Sequence, residues 1–219
     1  MIDANRPGTD AAAGVAAAFA ACSNLYANRA FDSTTFNSPA SLKNDSYAGK
    51  LLTHAEQLYS FAVNATNGRK AYQNSVPEVT SSYASSGYGD ELAIAALFMS
   101  YATGSSTLYQ DAEAAYSKYN LASSNGVFNW DSKTPGLAIL FSQVLQANPN
   151  LGGNYTVWHR RAEDYFDDII DNGYLNDGQL SEFFLFNVEL TISQTDCCTM
   201  TGIPMKLVST LPSMLQCYS

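Results

Sequence analysis

The stretch DELAIAALFM at positions 90–99 decides the fold class of this chain. It opens with two acidic residues, which complement the positive end of a helix dipole. Residues 92–99 are apolar on every side of the helix that they would form. That pattern is typical of a helix covered by other helices rather than one lying on a surface. Gly104 follows Ala102 and Thr103 as a common C-terminal stop. We therefore predict a buried helix over about residues 90–103.

Five further segments show the periodicity of amphipathic helices. The first, residues 11–27, should begin at an N-cap, either Thr9 or Asp10. Its buried stripe is predicted to consist of Val15, Phe19, Cys22 and Tyr26. The other four segments cover about residues 46–63, 106–119, 135–145 and 155–171. No segment shows a convincing strand pattern, so the predicted fold class is all-α.

Composition and charge exclude several classes of function. The chain has 219 residues, enough for a real core, and carries 11 Lys and Arg against 20 Asp and Glu, a formal charge of −9. We expect no nucleic acid partner, because phosphate binding needs a basic face. No apolar run approaches the roughly 20 residues that cross a bilayer, so we expect no membrane partner either. The residues after Met1 show no signal-peptide pattern.

We expect no cofactor and no metal site. Cys22 stands far from the other cysteines, which lie near the end of the sequence: Cys197, Cys198 and Cys217. Their spacing is not the C-x-x-C of a zinc site. His54 and His159 have no Ser or Cys nearby in a context typical of a catalytic triad. The acidic residues of the segment 163–171 share a helix with an apolar stripe, so we interpret them as a solvated face.

Three stretches carry a resemblance to a known family. Residues 2–12, IDANRPGTDAA, look like the pattern I-D-x-x-x-P-G-[ST]-D leading into an Ala-rich helix. Residues 83–104, YASSGYGDELAIAALFMSYATG, look like S-x-Y-x-D-E-L-x-W-A-A-x-x-L-Y-x-A-T-G. Residues 128–136, FNWDSKTPG, look like F-x-W-D-x-K-x-x-G. In this order and spacing they resemble family 9 glycoside hydrolases, the cellulase-type endoglucanases, over about residues 2–178. The chain departs from the pattern at Ile94, where the family has Trp.

The resemblance implies an (α/α)6 barrel of twelve helices, of which the six predicted helices are about half. It also implies an inverting attack on β-1,4-glucan. The family takes its general base from an Asp pair in a D-A-G-D type motif and its general acid from a Glu, and we expect both to fall outside this chain. Inverting hydrolysis needs both carboxylates, about 6.5–9.5 Å apart. The resemblance therefore predicts no catalytic residue here and no activity of this chain by itself.

Four aromatic and acidic residues are candidate substrate-binding residues: Trp130, Asp131, Tyr83 and Tyr88. On a loop, the indole of Trp130 could stack on a pyranose ring and the carboxylate of Asp131 could bind sugar hydroxyls. The alternative is a core Trp beside a turn-forming Asp. Tyr83 and Tyr88 flank residues 85–87 and could line the same cleft, or could simply pack against their neighbours.

Asp90 and Glu91 are expected to support the site rather than to catalyse. Adjacent residues of a helix point about 100° apart, so the two carboxylates cannot face one bond together. We interpret them as capping and dipole-complementing groups of the buried helix, in an element that borders the cleft of the resembling enzymes.

Residues 179–219 are predicted to be a non-native tail that follows a partial family 9 catalytic domain over residues 1–178. When the codons are read from the third base of Thr195, residues 196–198 must encode Leu-Leu, Met200-Thr201 must encode Asp, and Met205-Lys206 must encode Glu. Permitted synonymous codons complete a family-like G-L-L-Y hinge and an Ala-Leu helix. We therefore expect a retained intron over about residues 179–194, followed by out-of-frame translation.

The sequence is compatible with four functions. The first is the middle portion of an endo-β-1,4-glucanase, with a cellulose-like β-1,4-glucan as its partner. The others are a catalytically inactive glucan-binding protein, a non-functional truncated product, and another α/α-barrel glycosidase. A secreted parent protein is expected, and glycosylation sequons at Asn44, Asn64 and Asn154 agree with this. The sequence predicts neither the oligomeric state nor the preferred glucan.

Overall fold

The structure is a computed structural model that describes residues 2–29, 42–123 and 128–171. Residues 1–166 form one compact unit, and of the following residues only 167–171, the end of the last helix, are described. The helices are α1 (Thr9–Tyr26), α2 (Asp45–Val63), α3 (Gly89–Thr103), α4 (Ser106–Lys118), α5 (Thr134–Ala147) and α6 (Tyr155–Asp171). Within the described ranges there is no β-strand, so the all-α prediction is confirmed.

Helix α3 lies at the centre, as its uniformly apolar sequence predicts. It packs against α1, α2, α4 and α5. Leu92, Leu97 and Met99 are almost completely buried on it. Gly104 ends the helix in a left-handed conformation, with φ of 70°, which glycine adopts without a steric penalty.

The buried face of α1 differs from the predicted stripe. Val15 is 44% exposed and Cys22 is exposed. The face that packs on the core is instead made of alanines: Ala12, Ala13, Ala16, Ala17 and Ala20. The prediction followed the largest apolar side chains, but α1 packs against both α2 and α3, and small side chains allow such close packing.

The predicted N-cap of α1 is also wrong. Gly8 occupies the cap position, and no side chain caps the helix. Thr9 and Asp10 lie inside the first turn and bind a distant loop instead. Thr9 Oγ1 accepts a hydrogen bond from Lys70 N at 3.1 Å, and Asp10 Oδ1 accepts one from Tyr72 N at 2.8 Å. These two side chains therefore attach residues 70–72 to the start of the helix.

An aromatic cluster joins α4, α5 and α6. Phe141 and Trp158 stack with their ring centroids 3.9 Å apart and their planes only 8° from parallel. Glu113 Oε1 accepts hydrogen bonds from Trp158 Nε1 at 3.1 Å and from Tyr109 Oη at 3.2 Å. The polar atoms of the two rings thus have a partner inside the core, as buried polar groups require.

The outer surface of α6 agrees with the solvated face that the sequence predicts. Asp164, Asp167 and Asp168 are exposed, and the Nδ1 of His159 lies 3.6 Å from a carboxylate oxygen of Glu163. No helix among the described residues is long and apolar enough to cross a membrane.

Candidate functional site

A tight turn before α5 presents Trp130 to solvent. Asn129 forms this turn, because its Oδ1 accepts hydrogen bonds from Asp131 N at 2.8 Å and from Ser132 N at 2.9 Å. An Asn side chain commonly stabilises a turn in this way. Trp130 lies within the turn and is 61% exposed, so the alternative of a core Trp is wrong.

Tyr83 packs against Trp130 from the loop before α3. The two ring centroids are 5.9 Å apart, with the planes at 90°, an edge-to-face contact. Tyr83 is itself 66% exposed. We call Tyr83 and Trp130 the aromatic pair. The structure thus brings together two candidates that lie 47 positions apart in the sequence.

Asp131 ties the turn to the loop that carries Tyr83. Its Oδ1 accepts a hydrogen bond from Ser86 N at 2.7 Å. A carboxylate has about four acceptor positions, so this bond leaves Asp131 able to accept others. Asp131 is therefore part of the framework of the site, and its predicted contact with sugar stays a prediction.

Tyr88 packs against a different ring. Its partner is Tyr119, at a centroid distance of 5.4 Å. Tyr119 lies directly over Gly89, where an added Cβ would come within 2.4 Å of the Tyr119 Cγ. Glycine at position 89 therefore permits the close approach. Burial and the neighbouring Tyr119 raise the pKa of Tyr88.

A cleft of about 460 Å³ runs along the start of α3. Its lining includes Ser86, Tyr88, Asp90, Tyr119, Asp131 and Thr134. Polar and aromatic groups therefore line the same concavity, and its carboxylate and hydroxyl oxygens can hydrogen-bond a polar ligand. Three of the predicted residues, Tyr88, Asp90 and Asp131, contribute to the lining.

Asp90 and Glu91 lie in the first turn of α3, and each is only 6% exposed. Neither side chain caps the helix, so that part of the interpretation is wrong. Both bind Lys133 instead. Asp90 Oδ2 accepts a hydrogen bond from Lys133 N at 2.7 Å, and Glu91 Oε1 accepts one from Lys133 Nζ at 2.6 Å. The start of α3 is thereby joined to the turn that carries Trp130.

The environment of Glu91 favours its neutral form. Burial is the main cause and the adjacent Asp90 adds to it, and together they raise the pKa of Glu91 from 4.5 to about 8, while Lys133 acts in the opposite direction. Its Oε2 makes no hydrogen bond within the described part of the chain. Since Oε1 can accept from Lys133 whether or not the carboxyl is protonated, the link to the turn persists in both states.

Sequence reasoning missed Lys133, Ser86 and Tyr119. Lys133 lies inside the quoted stretch FNWDSKTPG, and its position shortly after Trp130 was a usable signal. Ser86 acts through its backbone N–H, which no residue-type pattern reveals. Tyr119 follows α4 and is brought to the site by tertiary packing. In the described ranges, no group of three or more His, Cys, Asp or Glu residues is arranged to hold a metal ion.

Comparisons with known proteins agree with this architecture. The family model described as glycosyl hydrolase family 9 matches residues 1–198. Endoglucanase 2 of Arabidopsis thaliana is 35% identical over 153 residues, which are 70% of this chain and 26% of that protein. Endoglucanase 5 of the same plant is 37% identical over 177 residues, with 75% of this chain and 24% of that protein covered. The chain thus spans about a quarter of the length of these curated relatives.

A solved structure supports the fold. The endoglucanase of the termite Nasutitermes takasagoensis, at pH 2.5, superimposes with a TM-score of 0.64 and 33% identity, over 78% of this chain and 34% of that one. The six helices of the described residues therefore form part of a family 9 (α/α)6 barrel. The predicted boundary at residue 178 stays a prediction, because residues 172–219 lie outside the described ranges. Another α/α-barrel glycosidase family is set aside by the family match, and the chain belongs to glycosyl hydrolase family 9.

Proposed function

We propose that this chain is part of an inverting endo-β-1,4-glucanase and that its described residues supply part of the glucan cleft. The observation that carries the proposal is the exposed aromatic pair, Tyr83 and Trp130, beside a polar cleft. The faces of a β-glucosyl ring carry C–H groups, whereas its edges carry hydroxyls. An exposed indole suits the faces, since its negative π-face attracts C–H groups.

Polar groups of the cleft complement this arrangement. Asp131, Ser132 and Thr134 lie along its lining and offer carboxylate and hydroxyl oxygens to the sugar edges. A ligand held by one apolar face and several hydrogen bonds at its edges is oriented as well as bound. The cleft therefore fits a polar ring such as glucose better than an apolar ligand.

The chain by itself is proposed to bind glucan without cleaving it. The sequence contains no D-A-G-D motif to supply the general base of the family, and Glu91, the carboxyl with a raised pKa, is buried against Lys133. Hydrolysis by inversion requires two opposed carboxylates with a water between them. A reducing-sugar assay on carboxymethylcellulose should give no product above background, and release of product would refute this part of the proposal.

Affinity electrophoresis tests the glucan cleft. The chain should be retarded in native gels that contain hydroxyethylcellulose, and Trp130→Ala should weaken the apparent affinity by about tenfold, the loss expected when one aromatic contact is removed. Tyr155→Ala is the matched control, since Tyr155 is an exposed aromatic residue on α6 that does not line the cleft. A chain that migrates equally with and without glucan would support a non-functional product instead.

An extracellular location is proposed for the parent protein. All three sequon asparagines, Asn44, Asn64 and Asn154, are exposed and lie at helix ends. Attachment of a bulky glycan requires such accessible positions. Expression behind a secretion signal in a eukaryotic host should give a protein whose mobility increases after N-glycosidase treatment. An unchanged mobility would remove this support.

The tail over residues 179–219 is proposed to be non-native. Transcript sequencing across the codons for residues 177–199 tests this directly. Reads that join Gly178 to the Gly-Leu-Leu-Tyr frame would identify a retained intron. Reads that uniformly keep the codons for residues 179–194 would show that the tail is genuine and refute the proposal.

A further inference from the structure

The backbone of the Trp130 turn is held from outside by α3 and the loop before it. Asp90 binds the backbone N–H of Lys133, and Asp131 binds the backbone N–H of Ser86. Asn129 fixes the shape of the turn through hydrogen bonds within it. Those internal bonds do not set the direction in which the turn faces, so its orientation depends on the contacts with α3 and the preceding loop.

The side chain of Lys133 connects α3 to the backbone of Trp130 itself. Its Nζ donates one hydrogen bond to Glu91 Oε1 at 2.6 Å and another to the backbone carbonyl of Trp130. The side chain of Glu91 is 7% exposed and that of Lys133 is 24% exposed. One ammonium group thus connects a buried carboxyl of the central helix to the peptide unit that carries the exposed indole.

The indole needs such a connection because its own packing is weak. Its ring contact is with Tyr83, which is more exposed than Trp130 itself. Two exposed rings that lean on each other can move together, whereas a ring inside a core is fixed by close packing on all sides. The orientation of the aromatic pair must therefore come largely from the backbone beneath it.

We propose that Lys133 is a positioning residue for glucan binding, which it assists by fixing the backbone of Trp130 through its bonds to Glu91 and to the Trp130 carbonyl. The inference rests on the proposed function, since the ligand that the aromatic pair receives is the glucan chain. Lys133 itself need not touch the ligand. A partly buried ammonium suits this task, because hydrogen bonds that involve a charged group are shorter and stronger than those between neutral groups.

A double-mutant cycle with hydroxyethylcellulose as the probe tests the proposal. Lys133→Met keeps the aliphatic stem and removes the ammonium, and it should weaken glucan affinity by about fivefold, the size of a coupling between neighbouring residues. In a Trp130→Ala background the same change should have no further effect, because Lys133 acts through the indole. An equal loss in both backgrounds, or no loss in the parent chain, would overturn the proposal.

Spectroscopy separates this proposal from the proposed function. Near-ultraviolet circular dichroism reports the coupling of the Tyr83 and Trp130 rings, and iodide quenching reports the exposure of Trp130, since the other tryptophan, Trp158, is buried. Lys133→Met should change both signals and Lys133→Arg should restore them. If Trp130→Ala left glucan affinity unchanged, the proposed glucan cleft would fail. If Trp130→Ala weakened the affinity while Lys133→Met changed neither the affinity nor these signals, only the positioning role would fail.

Two further variants test the partner of Lys133 and provide a control. Glu91→Leu replaces the buried partner by an apolar side chain of similar size, and the ammonium of Lys133, whose side chain is 24% exposed, can then turn toward solvent. Glu91→Leu should reproduce the effect of Lys133→Met and carries the test if that variant does not fold. Lys50→Met removes an exposed lysine from α2 and is the matched control, so its affinity and spectra should equal those of the parent chain.

Discussion

The two tryptophans of this chain are held in opposite ways. Trp158 is 5% exposed, stacks on Phe141 and donates its indole N–H directly to Glu113. Trp130 is 61% exposed, and it is linked to Glu91 through Lys133, which binds both Glu91 and the backbone carbonyl of Trp130. A buried ring is positioned by its own packing, whereas an exposed ring is positioned by the backbone that presents it. This difference leaves the face of Trp130 available to a ligand.

The largest effect should come from removing the buried ring. Trp158→Ala leaves a large cavity against Phe141, and we expect the free energy of unfolding to fall by about 3–5 kcal/mol. Urea unfolding followed by far-ultraviolet circular dichroism measures the loss. Trp158→Phe is the control and should retain most of the stability. An Ala variant as stable as the parent chain would show that the cluster is not packed as described.

Glu91, which is linked to Trp130 through Lys133, should make the stability of the chain depend on pH. With the pKa of Glu91 raised from 4.5 to about 8, the folded chain holds one more proton than the unfolded chain between these values. Stability should therefore decrease as the pH rises from about 5 to 8, by roughly 2–4 kcal/mol. Urea unfolding at a series of pH values measures the slope, which Glu91→Gln should reduce. A slope of the opposite sign would contradict the protonated, buried state.

Glu113, which accepts a hydrogen bond from Trp158, should stabilise the fold through its hydrogen bonds. Glu113→Ala removes the acceptor of both Trp158 Nε1 and Tyr109 Oη, and Tyr109 is fully buried. We expect a loss of about 1–3 kcal/mol, the cost of buried donors without partners. Chemical unfolding gives the value, and Glu113→Gln, which keeps an acceptor, should lose less. Equal losses for Ala and Gln would indicate that hydrogen bonding is not the cause.

The smallest effect on stability should come from removing the exposed ring. Trp130→Ala should change the free energy of unfolding by no more than about 0.5 kcal/mol, because exposed substitutions rarely cost more. The same variant should lose glucan affinity, which gives the clearest contrast with Trp158→Ala. Unfolding and affinity electrophoresis on one preparation test both halves. A strongly destabilised Trp130→Ala would mean that this ring belongs to the core after all.

Local patterns predicted the helices well and the site in part. The continuous apolar run of α3 and the periodicity of α5 led to elements that the structure places within a few residues of the prediction. The candidates Tyr83, Trp130 and Asp131 do lie together. They could be predicted because the stretches that contain them carry the resemblance to the family. Their contact with glucan remains a prediction.

The predictions that failed concern which partner a residue meets. Asp10 was expected to cap α1 but binds Tyr72 N, and the alanines of α1 rather than Val15 form its buried face. Each outcome depends on segments that are distant in sequence. Hydrophobic size and capping propensity describe a helix by itself, and tertiary packing overrides them where helices approach closely.

The sequence by itself determined the all-α class, the approximate limits of six helices and the resemblance to the family. These follow from periodicity, helix-ending glycines and motifs, which are local properties of the chain. Only the tertiary structure decided that Trp130 is exposed while Trp158 is buried, and that Lys133 joins Glu91 to the backbone of the turn. The physical reason is that the exposure of a side chain and its hydrogen-bond partners depend on which helices and loops pack against each other. The type of a residue does not by itself specify that packing.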